Sequence, residues 1–240
     1  RTLVSSLREH IPDCSLTVLS HNPTSTREKY GVEAVDRMSP MAILRAVKKC
    51  DMLISGGGSL LQDVTSSKSL HYYLSIIRCA EFFHKKVFIY SQGIGPIDRP
   101  GNRRATAAAL KRADGIVVRD ERSASLLEEI GIARDKVVIT ADPVIRMKKP
   151  DGDVGAEILR KAGVSLDGRL TVGWAIRERD TDSRFVKELL RSIQMMKDKY
   201  NAQSVLIPFH YEEDGEVCRH IAAQLPDDTA VCLNEKYLSE

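Results

Sequence analysis

Two glycine-bearing segments and one arginine pair are where this sequence offers chemistry. Ile54-Ser55-Gly56-Gly57-Gly58-Ser59 sets three consecutive glycines behind an apolar run. Glycines let backbone N–H groups approach an anion closely, and Ser59 adds a hydroxyl. A tight, close-packed turn uses the same residues, and the segment spells neither a Walker loop nor a dinucleotide fingerprint. Ser91-Gln92-Gly93-Ile94-Gly95-Pro96 repeats the device behind the next apolar run, again readable as a rigid turn. In Val118-Arg119-Asp120-Glu121-Arg122-Ser123 two arginines follow a third apolar run and enter a helical pattern. Guanidinium forks suit carboxylates and phosphates, and a helix start favours an anion nearby. Alternatively Arg119 pairs with Asp120 or Asp142 while Arg122 is a solvated charge. Asp142-Pro143, after the following run, is placed to cap the same rim or to orient an arginine.

Further along, Arg177 in Trp174-Ala175-Ile176-Arg177-Glu178 suits phosphate. His210, in Pro208-Phe209-His210-Tyr211, suits a contact to a sugar hydroxyl better than catalysis. The other histidines, His10, His21, His71, His84 and His220, share no ligand spacing with carboxylates or cysteines, so neither a metal nor another cofactor is expected. No Gly-x-Ser-x-Gly elbow is present, and no general acid stands out; Asp63 is a stand-in only.

Such residues need elements to aim them. Strand-like runs at 16–19, 52–54, 87–90, 116–118 and 137–140 alternate with helical patterns at 41–49, 70–84, 103–112 and 123–130. That alternation predicts a parallel sheet covered by helices. A polar stretch rich in Lys, Pro and Gly at 146–153 reads as a linker. A second series follows: helix 154–162, strand 170–174, helix 184–199, strand 204–208, helix 216–225 and strand 230–233. The expectation is therefore α/β, with two Rossmann-like lobes over residues 1–145 and 146–240. Ligands bind outside the carboxyl ends of parallel strands, which points to a cleft between the lobes. Arg1 leads directly into an amphipathic segment and residues 237–240 resemble a helix start, so both lobes are expected to be incomplete, the first lacking its first strand.

Composition narrows the function classes. A net charge of +3, from 36 basic and 33 acidic side chains, is too balanced for a nucleic-acid binder and leaves any anion site local. Five widely spaced cysteines without a CxxC pair argue against a disulfide framework or a zinc site and for a reducing cytoplasm. No apolar run approaches the roughly 20 residues a membrane span requires. Membrane contact would be peripheral, with Lys85-Lys86 and Lys148-Lys149 as the cations to consider. Oligomeric state is not legible.

Taken in order, Ile54-Ser55-Gly56-Gly57-Gly58-Ser59-Leu60-Leu61-Gln62-Asp63, Ser91-Gln92-Gly93-Ile94-Gly95-Pro96, Val118-Arg119-Asp120-Glu121-Arg122-Ser123 and Ala141-Asp142-Pro143 resemble the polysaccharide pyruvyl transferase family. The likeness is nearest to its bacterial cell-wall ketal-pyruvyltransferase branch and covers most of the chain. It implies a glycosyltransferase-B-like fold, phosphoenolpyruvate as donor and a sugar as acceptor. In the cell-wall branch the acceptor is a lipid-linked saccharide containing N-acetylmannosamine, handled in the cytoplasm at the inner face of the membrane. The 4,6-ketal product belongs to a secondary cell wall polymer that anchors surface-layer proteins. By position the resemblance implies that loops 56–59 and 92–96 line the cleft and that Arg119 and Arg122 hold the donor. The family's glycine-rich opening loop and its late Arg-Leu-His segment are absent from these 240 residues, so this stretch alone is expected to be inactive. Two other functions fit the same residues: a nucleotide-sugar-dependent glycosyltransferase, and a non-catalytic anion- or sugar-binding module.

Overall fold

The computed structural model describes residues 2–64, 66–147, 152–178, 180–226 and 229–233. Chain contacts divide it into two units, residues 1–147 and 148–240.

In the first unit the order is α1 (Thr2–His10), β1 (Thr17–Ser20), α2 (Pro23–Tyr30), β2 (Glu33–Asp36), α3 (Pro40–Lys49), β3 (Met52–Gly56) and α4 (Ser67–Phe82). It continues through β4 (Lys86–Gln92), α5 (Pro100–Leu110), β5 (Gly115–Val118), α6 (Glu121–Glu129), β6 (Val137–Ile139) and a short 3-10 helix (Pro143–Arg146). All strand pairings are parallel, but they fall into two sheets, β1-β2 and β3-β4-β5-β6. β1 and β3 are not hydrogen-bonded to each other, so the continuous sheet expected from the strand runs is interrupted there.

The larger sheet forms because its strands are short apolar runs and helices cover it. Val87 and Ile89 in β4 and Ile116 and Val118 in β5 are buried, and α4 adds Leu70, Leu74, Ile77 and Ala80 at helical spacing. Full burial stabilises each such valine, leucine or isoleucine side chain by roughly 1.5–3 kcal/mol. Gly115 is required at the start of β5, since a Cβ there would come 2.3 Å from the Phe88 ring packed over it. Each step from β3 to β6 is a parallel neighbour reached through a covering helix, which delivers four strand ends to one rim.

Residues 21–36, where the sequence suggests no element, fold into α2 and β2. The helix has no buried side chain. Local signals make it: the Asn22 side chain accepts from the Ser25 N–H, Pro23 opens the first turn, and Gly31 closes the helix at φ 59°. β2 contributes buried Ala34 and pairs in register with β1.

The second unit contains α7 (Gly152–Lys161), β7 (Thr171–Ile176), α8 (Arg184–Tyr200), β8 (Gln203–Pro208), α9 (Tyr211–Ala223) and β9 (Ala230–Cys232). Its three strands are parallel in the order β7-β8-β9. α8 and α9 close over the sheet through Val186, Leu189, Ile193, Val217 and Ile221. α9 begins five residues before the apolar pattern suggests, because buried Asp214 reaches back to accept from the His210 N–H at 2.7 Å. Among the described residues, no helix is long and apolar enough to cross a membrane.

Candidate functional site

The carboxyl ends of β3, β4, β5 and β6 bring the glycine loops and one arginine together. After β3 the chain turns through Gly57 and Gly58, both left-handed at φ 86° and 63°. A Cβ on either would meet nothing within 4 Å, so the backbone conformation selects glycine here, not lack of space. This loop is fastened to the one after β4: the Gly93 N–H donates to the Gly58 carbonyl at 3.0 Å and the Gly95 N–H to the Leu61 carbonyl at 2.7 Å. Gly95, at φ 90°, lies against Leu126 of α6, where a Cβ would come 2.3 Å from its Cδ2.

Arg119, the first residue past β5, lies across Gly93. A Cβ on Gly93 would be 2.7 Å from Ser59 Oγ and 2.8 Å from Arg119 Nε and Nη2. The guanidinium donates through Nη2 to Ser59 Oγ at 3.0 Å and through Nη1 to Asp142 Oδ2 at 2.8 Å, and its Nε lies 3.5 Å from Asp120 Oδ2. A guanidinium has five N–H donors, so these three contacts leave two for a ligand. The pairing of Arg119 with Asp120 and Asp142 is thus present, and both carboxylates are fixed from behind. Asp142 Oδ1 accepts from the Val144 N–H at 3.0 Å, capping the 3-10 helix. Asp120 caps α6, accepting at 2.8 Å from both the N–H and the hydroxyl of Ser123, whose oxygen in turn accepts from the Ile94 N–H. Burial pushes the Asp120 carboxyl up, but the Ser123 donors and Arg119 outweigh it and hold it below the ordinary carboxylate value.

Gln92 is wholly buried beneath this rim. Its Nε2 donates to Ser55 Oγ at 2.8 Å, and its Oε1 has no hydrogen-bond partner among the described residues. Gly56 ends β3 against Leu3 of α1, where a Cβ would come 3.1 Å from the leucine Cδ2.

Other candidates lie elsewhere. Arg122 is exposed in the first turn of α6 and makes no hydrogen bond or ion pair among the described residues. Arg177 and His210 belong to the second unit, exposed just past β7 and β8. Asp63 is unsuited to the acid role suggested for it. It is buried and accepts from the Asp98 N–H at 3.0 Å, the Arg99 N–H at 3.1 Å and Asn102 Nδ2 at 2.7 Å. Burial raises its pKa, but those donors and the Arg99 charge lower it further, so it stays ionised and organises the start of α5. Lys86 is committed to Asp114 at 2.7 Å, and Lys148-Lys149 fall outside the described residues.

Among the described residues, no group of three or more His, Cys, Asp or Glu side chains could hold a metal ion. The arrangement is therefore built of backbone donors, one arginine, hydroxyls and carboxylates. It can bind an anion through the free guanidinium and amide N–H groups, and sugar hydroxyls through the carboxylate and serine oxygens.

Solved structures share this architecture. Anabaena HepE in complex with UDP-glucose superposes with a TM-score of 0.61 at 10% identity, over 97% of this chain and 64% of that one. S. aureus MnaA with UDP gives 0.58 at 14% identity, with the same two coverages. The UDP-GlcNAc 2-epimerase of Neisseria meningitidis bound to UDP-GlcNAc gives 0.56 at 15%, over 99% and 69%. At such identities the likeness is one of fold: two Rossmann-like, glycosyltransferase-B-like lobes. The chain spans 64% of the length of HepE and of MnaA. No sequence relative is found among curated proteins. The family description Polysaccharide pyruvyl transferase matches residues 1–238, and the chain belongs to that family.

Proposed function

We propose that the protein transfers pyruvate from phosphoenolpyruvate to two hydroxyls of a saccharide, closing a ketal and releasing phosphate. The observation that carries this reading is Arg119, held across Gly93 at the carboxyl rim of a family member with two N–H donors still open. Proton addition to the enol methylene carbon gives an oxocarbenium-like centre, which one sugar hydroxyl attacks. The second hydroxyl displaces phosphate and completes the ketal. The donor's carboxylate and phosphate remain anionic throughout, so the site must supply fixed donors and an arginine fork. Arg119 supplies the fork, and the N–H groups of the Gly56-Gly57-Gly58-Ser59 turn supply backbone donors. Ser59, Asp120 and Asp142 offer oxygens to sugar hydroxyls. Arg122 makes a further contact to the bound substrates, and Gln92, Gly93 and Gly95 shape the floor beneath them. The proton comes from a group other than Asp63.

The acceptor in this proposal is a lipid-linked saccharide containing N-acetylmannosamine, modified as a 4,6-ketal at the cytoplasmic face of the membrane, with surface-layer anchoring as the use of the product. The test is phosphate release from phosphoenolpyruvate by the full-length protein, with and without a synthetic N-acetylmannosaminyl-N-acetylglucosamine diphosphate lipid. Acceptor-dependent release that falls at least 100-fold in Arg119→Ala supports the proposal; two lost charge-assisted contacts at about 1.5–3 kcal/mol each account for that size. UDP, which HepE and MnaA hold in their solved structures, is the control ligand. A thermal shift with UDP and no phosphate release with any acceptor would replace pyruvyl transfer with nucleotide-sugar chemistry.

A further inference from the structure

β4 carries one residue more than the strand beside it. Its pairing with β5 sets Ile89 opposite Ile116 but Gln92 opposite Val118, so Tyr90 and Ser91 together face the single Val117. This is a β-bulge, which bends a strand and re-aims the residues beyond it. Ser91 makes the bend at φ 44°, a left-handed backbone that a residue with a side chain keeps only where its surroundings hold it. Ser91 is buried, and its hydroxyl lies 3.1 Å from that of Thr140, the residue after β6. Thr140 is tied in turn to β5, its N–H donating to the Val118 carbonyl at 2.8 Å.

The extra residue decides what lies beneath the arginine. Without it, the pairing of Ile89 with Ile116 would continue to Ser91 beside Val118 and Gln92 beside Arg119. With it, Val118 is beside Gln92, and the next step sets Arg119 beside Gly93. The Arg119 N–H donates to the Gln92 carbonyl at 3.1 Å, and the guanidinium lies where a Gly93 Cβ would be 2.8 Å away. With Arg119 in this position there is no room beneath it for a side chain, so an unbulged β4, presenting Gln92, would displace it.

We propose that Ser91 is a positioning residue of the anion site: the bulge it holds, fastened to Thr140, places Gly93 beneath Arg119 and so sets the reach of the guanidinium. The proposal rests on the reading of Arg119 as the clamp on the donor. The Ser91–Thr140 contact reaches the strand end two residues before Asp142, the carboxylate on the other side of the guanidinium. One hydrogen bond therefore joins the two supports of Arg119, the floor at Gly93 and the flank at Asp142.

The test is a set of variants of the full-length protein, read by phosphate release from phosphoenolpyruvate. Ser91→Ala and Thr140→Val each remove the hydroxyl pair, and each is expected to lower kcat/KM for phosphoenolpyruvate about tenfold, the size of one hydrogen bond. The two together should lose no more than either alone, and Thr140→Ser, which keeps the hydroxyl, should stay near wild type. A merely structural role would not couple to the arginine: in an Arg119→Ala background, Ser91→Ala should cost nothing further, since no guanidinium is left to aim. Should Ser91→Ala lose its urea transition, Ser91→Gly removes the same hydroxyl at a residue free to adopt φ 44°. Wild-type activity in both single variants would overturn the proposal, as would losses that add in the double variant or a full tenfold loss in the Arg119→Ala background. A wild-type protein that releases no phosphate with any acceptor would instead overturn pyruvyl transfer, and the variants are then read by calorimetry on UDP. Arg119-dependent UDP binding that Ser91→Ala weakens about tenfold would uphold the positioning role; binding that Ser91→Ala leaves unchanged, or no binding, would overturn it too.

Discussion

Gly93→Ala separates the aim of Arg119 from the stability of the fold. Gly93 is not left-handed, so its backbone accepts alanine without strain, and the added methyl relieves unfolded-chain entropy by about 0.4–1 kcal/mol. The three atoms the methyl approaches most closely all belong to side chains, Ser59 Oγ at 2.7 Å and Arg119 Nε and Nη2 at 2.8 Å, against an ordinary contact of about 3.5 Å or more. Both side chains must therefore withdraw by roughly 1 Å. The losses are a hydrogen bond worth about 1 kcal/mol and a partly exposed ion pair worth at most about that, offset by the entropic gain. Net stability should stay within about 1 kcal/mol of wild type, which urea unfolding measures. Misplacing a clamping arginine by about 1 Å should cost on the order of 100-fold in kcat/KM for phosphoenolpyruvate. Phosphate release is the assay, with the phosphoenolpyruvate-induced thermal shift as a binding check. Turnover within a few-fold of wild type would refute the claim that the Gly93 floor sets the aim of Arg119. A loss of activity matched by unfolding would refute it equally, since the geometry confines the damage to two side chains.

Asp142→Asn keeps an acceptor beside Arg119 but removes a charge that opposes a bound anion. Relief of about 1 kcal/mol at this half-exposed position should lower KM for phosphoenolpyruvate roughly fivefold, and a rise in KM measured by the same assay would contradict this. Asp63→Asn turns a donor toward groups that already donate, Asp98 N, Arg99 N and Asn102 Nδ2, and should cost about 1–3 kcal/mol at neutral pH. Because the native carboxyl lies below its ordinary value of 3.8, its contribution is present above that value and lost as pH falls through the native pKa. Urea midpoints of the two proteins should therefore differ at neutral pH and converge as pH falls below 3.8; a constant gap would assign the loss to packing.

Elements with an apolar stripe were readable in the sequence, and elements made by their ends were not. Leu70, Leu74 and Ile77 mark one face of α4, and Val87 and Ile89 mark β4 as buried. The segment Pro-Thr-Ser-Thr-Arg-Glu-Lys-Tyr of α2 shows no such face; Asn22, Pro23 and Gly31 fold it, and each of those residues is equally at home in a loop. The start of α9 was hidden in the same way. Glu212-Glu213-Asp214 looks like a charged connection until Asp214 is seen turned inward and bonded to the His210 N–H.

At the rim, residue type was legible but partnership was not. Glycine runs behind apolar strands and arginines behind a third strand are visible in one dimension, because the carboxyl ends of parallel strands share a rim. That Ser59 meets Arg119 across 60 positions is a product of the order β3-β4-β5, in which two crossovers place those ends side by side. The same order converts Gly93 from a turn residue into the surface on which the guanidinium rests. It also brings Asp142, two crossovers beyond Gly93, to the guanidinium's other side. Arg119 is thereby fixed by contacts on three sides, and its single positive charge is more than balanced by two carboxylates. A ligand gains little there from charge at long range and much from matching the two N–H directions left open. Selection by direction suits a donor whose carboxylate and phosphate must both be placed before a proton is added to the methylene carbon beside the one that bears them.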